Sequence, residues 1–244
     1  MLTAFCKSPV NYSDLLPWEF RQRLAQRPVA YLPLGTLEWH GEHLPLGSDA
    51  IQSQGLMEEC ARRFGGIVMP PIHLGPDRAR DMGGGAVLQG MDYADSTDPH
   101  RQLDGSCYWV SDGIFGLLVD AILEQLKRAG FKLVFADGHG PSRSAWRQAI
   151  PEREQRFGLK LAGVTDEIAR EWKSQMDHAA RNETSLVMHY KPELADLSQL
   201  SADRQVWPQG VGGKDPRDAS PEYGRACMEK SVEIVGRLLE ERGI

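Results

Sequence analysis

The amino-acid sequence predicts an α/β fold with a largely parallel sheet covered by helices on both faces. Three observations carry this. Short apolar runs of strand length alternate along the chain with longer helical patterns, the signature of βαβ units. The 244 residues are enough for one large domain with a full core, or for two small ones. Neither an internal repeat nor a low-complexity linker divides them, so residues 1–244 are expected to form a single domain.

Asp14 to Gln26 reads as a short amphipathic helix, and Val29 to Leu34 as an apolar strand in which Pro33 marks a bulge or an unpaired position. Ile51 to Phe64 is helical, with Ile51, Leu56, Cys60 and Ala61 or Phe64 available for one face. Ile67 to Met69 is a buried strand stopped by Pro70-Pro71. Residues 74–108 show no sustained period, and long loops of this kind usually serve function or move, so the stretch is expected to wall a site. From Ile114 the residues Phe115, Leu118, Val119, Ile122, Leu123 and Leu126 share a helical face, with Gly130 as the C-terminal stop. Lys132 to Ala136 and Lys160 to Val164 are strands, a helix follows from about Asp166, and a last one runs from about Pro221 to Arg242.

A net charge of −6 with no basic stripe argues against a nucleic-acid surface. No apolar window is long enough to span a membrane, and the N-terminal segment has no signal-peptide pattern. Cys6, Cys60, Cys107 and Cys227 are far apart and fit reduced, mostly structural thiols in a cytoplasmic protein.

The chemistry concentrates at strand ends, where ligands bind in such sheets. Glu38 and His40 follow the first strand, two residues apart, so that in an extended segment both point to one side. Asp49 comes after a Gly/Pro-rich turn and could bridge two cations while His and Glu complete each shell. His139 lies in the glycine-flanked turn Asp137-Gly138-His139-Gly140-Pro141, which permits close backbone approach. The bland alternatives are a solvated loop and a polar turn. Asp137 could orient an imidazole or simply belong to that turn.

His178 could serve as general acid or base, and Glu183 as a further ligand or the holder of a water. Arg181 and Asn182 are candidate substrate contacts, and His43 a candidate for the layer behind the ligands. His73, His100 and His189 fit local hydrogen bonding, and Trp109, Trp146 and Trp172 fit packing. Gly83-Gly84-Gly85 is not a phosphate loop, since the Lys-Ser/Thr ending is missing.

Taken together these segments resemble the creatininase family of metal-dependent amidohydrolases. Pro33, Gly35, Glu38, His40, Gly41, His43, Leu44, Pro45, Leu46 and Asp49 match its first signature. Gly138, His139 and Gly140 match its Asn-Gly-His-Gly turn with Asp137 in place of Asn, and His178, Ala179, Glu183, Thr184 and Ser185 match a third segment. The resemblance implies a three-layer α/β/α fold with a mostly parallel central sheet, a homo-oligomer, and a small-molecule amide-type substrate. It also implies one or two divalent metals (Zn, Mn or Fe). Glu38, Asp49 and His139 would hold one ion, His40 and the bridging Asp49 the other, with His178 moving a proton. The activity implied is hydrolysis of a non-peptide C–N bond, with deformylase, small-peptidase and non-catalytic relatives as alternatives.

Three departures stand out. Pro141 occupies the place of a ligating Glu, Ala180 replaces a Gly and is expected to narrow the space near His178, and Pro99 to Trp109 replaces a Phe-Pro-Gly-Thr stretch.

Overall fold

A computed structural model describes residues 9–164 and 177–243. The helix expected from about Asp166, together with Trp172 and Cys6, lies outside the described residues.

Four parallel strands form the central sheet in the order β2-β1-β5-β6, with β1 at Val29–Leu34, β2 at Ile67–Val68, β5 at Leu133–Gly138 and β6 at Lys160–Gly163. The strands are buried on both faces because successive side chains point opposite ways. Ala30, Leu32, Leu34, Val134 and Ala136 enter one core with helix α3 (Asp112–Ala129), helix α4 (Gly140–Gln148) and residues around α1 (Pro17–Gln26) and α5 (Ile150–Phe157). Val29, Tyr31, Leu133 and Phe135 enter the other with α2 (Ser48–Phe64) and α7 (Pro221–Glu241). Helix α6 (Arg181–Tyr190) packs alongside both of these. The result is a three-layer α/β/α arrangement. Each fully buried side chain, such as Phe115 or Trp146, contributes about 1.5–3 kcal/mol of apolar burial.

Local rules explain most boundaries. Ser111 caps α3 by accepting from the Ile114 N–H, which starts the helix two residues before the apolar period does, and Gly130 ends it at φ +104. Helix α2 begins at Ser48, so Asp49 sits in its first turn instead of a preceding loop. Its inner face uses Met57, Cys60 and Ala61, with Leu56 and Phe64 at the margin, and Ile51 takes no part in that core. Pro33 leaves the β1–β5 register unshifted and makes no bulge. Its carbonyl accepts from Ile72, so its missing N–H faces the side where Pro70-Pro71 have already ended β2.

The stretch from 74 to 108 is more ordered than its sequence suggests. It holds an antiparallel hairpin of β3 (Ala79–Gly83) and β4 (Ala86–Gln89), with Gly83, Gly84 and Gly85 at positive φ in its tip. No helix among the described residues is long and apolar enough to cross a membrane. Cys60, Cys107 and Cys227 form no disulfide; the first and last are buried, whereas Cys107 is exposed.

Candidate metal centre

The ends of β1 and β5 lie side by side, with Leu34 opposite Gly138, and the chain turns out of both at that edge. The Leu34 carbonyl accepts from the His139 N–H at 2.7 Å. This contact demands glycine at 138, since a Cβ there would stand 1.6 Å from the Leu34 oxygen. The loop after β1 is pinned by Glu38 N–H to Leu46 O at 3.0 Å and Trp39 N–H to Ser106 Oγ at 2.7 Å. Asp49 enters from the first turn of α2, where a helix N-terminus favours a carboxylate. His178 is fixed by a backbone bridge to Gly212, and Glu183 stands in the first turn of α6.

With His40, two residues after Glu38, six side chains converge. His139 Nδ1 lies 2.9 Å from Glu38 Oε1 and 3.2 Å from Asp49 Oδ2. The other Asp49 oxygen is 3.7 Å from His40 Nε2, which is 3.6 Å from Glu183 Oε2. Asp49 therefore stands between two donor sets, one with Glu38 and His139, the other with His40 and Glu183. His178 Nδ1 is 3.9 Å from Glu38 Oε1, and its ring lies 4.4 Å from that of His40.

The ring orientations follow from acceptors that can only accept. His40 Nδ1 is 3.1 Å from the Glu38 carbonyl oxygen, so Nδ1 keeps its proton and Nε2 is the nitrogen that can give up its own to an ion. That Nε2 is buried with no hydrogen-bond partner among the described residues. Two donors about 2.1 Å from a tetrahedral ion lie about 3.4 Å apart, close to the 3.6 and 3.7 Å between His40 Nε2 and its two carboxylates, which are too wide for a hydrogen bond. The residues present therefore fit a divalent cation. His178 Nε2 donates to the Trp39 carbonyl at 2.8 Å, which leaves Nδ1 free on the side of Glu38.

Without an ion the cluster is strongly acidic. Burial opposes charge on His40, but Asp49, then Glu183 and Glu38, outweigh it and raise its pKa to about 10. His139 is likewise held well above the ordinary value against burial, chiefly by Glu38 and Asp49. Burial lifts Glu183 to about 7, opposed by His40 and reinforced by Asp49. Burial and the neighbouring His40 lower His178 to about 4.

A cleft of about 1040 Å³ opens onto the centre, lined among others by Glu38, Asp49, Asp77, His139, His178 and Glu183. Asp77 escaped the sequence reading. Its carboxylate is 3% exposed and lies 3.7 Å from His139 Nε2, but nothing local distinguishes it from the other aspartates of its segment. The wall expected from residues 74–108 is present at Pro76, Asp77, Arg78 and Met91. Trp109 tilts over His139 at 5.8 Å, while Trp146 is core, bonded to the Ala162 carbonyl.

Other candidates stand apart from the cluster. His43 bonds Thr184 Oγ1 at 2.9 Å and so braces the helix that carries Glu183. The Arg181 guanidinium stacks on Tyr223 at 4.1 Å and does not line the cleft, and Asn182 faces a smaller cavity behind Asp49. His73 and His100 are exposed, and His189 packs against Tyr190. Asp137 is engaged by Arg143, whose Nε donates to it at 2.5 Å while Nη2 donates to the Gly138 carbonyl at 2.9 Å. Ala180, at φ −95, occupies backbone that any residue adopts, and the left-handed residue is Ala179 at φ +52.

The sequence profile of the Creatininase family, described as creatinine amidohydrolase, matches residues 14–239. The creatinine amidohydrolase of Pseudomonas putida is 26% identical, with 93% of this chain and 95% of that protein aligned. A mycofactocin precursor peptide peptidase of Mycobacterium ulcerans is 29% identical over 84% of this chain and 82% of its own. Among solved structures, one named creatininase Mn superposes with a TM-score of 0.74 at 20% identity, covering 96% of this chain and 99% of that one. A mutant creatininase of Zn-Zn type gives 0.73 at 20% identity, with 96% and 98% covered. A profile match over most of the length, on a fold that carries the same three-layer plan, is decisive: the chain belongs to the creatininase family, hydrolases of carbon–nitrogen bonds.

Proposed function

We propose that this protein is a metal-dependent amidohydrolase whose substrate is a cyclic or linear amide or a formamide. The observation that carries the reading is the buried His40 Nε2, left as the ring's ligating nitrogen because Nδ1–H is held by the Glu38 carbonyl, and facing two carboxylates at ion-binding distances. Glu38, Asp49 and His139 would hold one divalent ion, and His40, Asp49 and Glu183 the other. Glu183 thereby supplies the carboxylate that Pro141 lacks. The mixed oxygen and nitrogen donors suit Zn, Mn or Fe. Ions bound there would lower the pKa of a bound water and polarise the scissile carbonyl.

The chain's own groups would do the rest. His178 keeps Nε2–H on the Trp39 carbonyl, so proton traffic runs through Nδ1, which can take a proton and return it to the leaving nitrogen. Glu183 is held by the Ala179 N–H at 2.7 Å, which orients its carboxylate toward His40. The ring of Trp109 beside His139 would limit water at that edge of the cleft. Cytoplasmic location and assembly as a homo-oligomer belong to the same proposal, with sedimentation to check the second.

The test is metal content per chain, with and without added Zn or Mn, beside Asp49→Asn, followed by a screen of lactams, amides and formamides. Near two equivalents in the wild type, with ions and hydrolysis both lost in the variant, is the expected result. An Asp49→Asn protein that hydrolyses its substrate at full rate would refute the reading. Peptide cleavage is the second reading, favoured by the size of the cleft and by the peptidase relative, and short peptides in the same screen decide it.

A further inference from the structure

A ligating imidazole needs one nitrogen free of its proton and the other anchored. His40 is anchored at Nδ1 by the Glu38 carbonyl, and His178 at Nε2 by the Trp39 carbonyl. His139 is different. Its Nδ1 is shared between Glu38 at 2.9 Å and Asp49 at 3.2 Å, while its Nε2 is buried and without a hydrogen-bond partner among the described residues. When an ion takes the place of the proton at Nδ1, the ring's remaining proton lies on Nε2, where a buried donor needs an acceptor. The acidic oxygen on that side is Asp77 Oδ2, 3.7 Å away.

We propose that Asp77 is a positioning residue of the metal centre: its carboxylate receives the His139 Nε2–H and thereby reserves Nδ1 for the ion. The proposal rests on the metallohydrolase reading above. Two further features support it. The Asp77 oxygens are divided, Oδ1 accepting from the Arg78 N–H at 2.6 Å and Oδ2 left for His139. The backbone also keeps room for that carboxylate: at Gly90, with φ +55, a Cβ would stand 2.3 Å from Asp77 Oδ2 and 3.4 Å from Glu38 Oε2. Asp77 and Gly90 are the two roots of the exposed β3–β4 hairpin, which therefore meets the centre through this carboxylate. A hydrogen bond needs the pair to close from 3.7 Å to about 3 Å, a shift within the reach of one aspartate rotamer. A carboxylate behind a ligating imidazole makes it a stronger donor, and losing such a partner typically weakens metal binding about 10- to 100-fold.

The experiment uses zinc-loaded full-length protein and has two readouts besides activity. Nitrogen NMR of the labelled histidine rings reports which His139 nitrogen holds the proton, and competition against a chelator reports zinc affinity. Expected for the wild type is His139 protonated at Nε2. Asp77→Ala should lose about 10- to 100-fold in affinity for one zinc, and Asp77→Asn, whose amide oxygen still accepts, should recover part of that loss. If Asp77 only closed its own turn on Arg78, the His139 nitrogen signals would not change in Asp77→Ala, and the proposal would fall. It also falls if zinc sits on Nε2 with Asp77 as a direct ligand, or if Asp77→Ala keeps both affinities. Should Asp77→Ala not fold, Asp77→Asn decides by zinc affinity: weaker binding than wild type is expected, and equal binding overturns the proposal. A wild type that binds no zinc would sink the metallohydrolase reading and this one with it, whereas equal binding by wild type and Asp77→Ala would sink this one alone.

Discussion

Competition between protons and metal at the centre can be measured directly. In the metal-free protein His40 has a pKa of about 10 and His139 lies well above its usual value, so at neutral pH both rings carry a full complement of protons. An ion must displace one proton from each, since a ligating imidazole is neutral. For His40 alone the neutral fraction at about pH 7 is about one in a thousand, so the apparent affinity there is about a thousandfold below its limit. It should rise about tenfold per pH unit for one displaced proton and about a hundredfold for two. Competition titrations against a chelator at about pH 6.5 and about pH 7.5 give the slope, and calorimetry in two buffers of different ionisation enthalpy counts the protons released. Equal affinities at both pH values with no proton release would mean that both rings are neutral before metal arrives. The carboxylate cluster would then not have the field assigned to it. The same linkage acts on folding. A raised histidine pKa stabilises the metal-free protein fully below about pH 6.5, and that contribution is lost as pH rises through about 10 for His40. Chelated protein should therefore lose stability across that interval, and zinc-loaded protein should lose less.

Other substitutions probe the frame of the site. Arg143→Met strands Asp137, which is buried against it, and should cost about 3 kcal/mol, read as a fall in Tm of about 6–12 °C. Adding Asp137→Asn should recover most of that loss, and a double variant no better than the single would show that the ion pair is not the cause. Gly138→Ala cannot be accommodated without prying β1 from β5 and should abolish metal binding, whereas Gly140→Ala, with nothing within 4 Å of the added carbon, should bind normally; metal analysis of both settles the contrast.

Local patterning made much of the fold legible. The β1 and β5 runs are apolar over strand lengths because both faces are covered, and α3 shows its buried stripe at helical spacing. The β3–β4 hairpin gave no such signal: every residue of β3 is exposed, so no alternation was required of it. At the site, Glu38, His40 and Asp49 sit in one short signature, and a glycine-flanked His139 follows a strand end. Residue type and spacing alone thus identify donors capable of binding a metal. Spacing does not determine which atoms meet. That Asp49 stands between two donor sets depends on α2 starting at Ser48, and that Glu183 faces His40 depends on α6 packing beside α2. Asp77 reaches His139 only because its hairpin root folds back to the β5 edge. Chemistry that short-range order can encode is written in the sequence, while contacts between distant segments are decided by the packing of the sheet and its two helical layers.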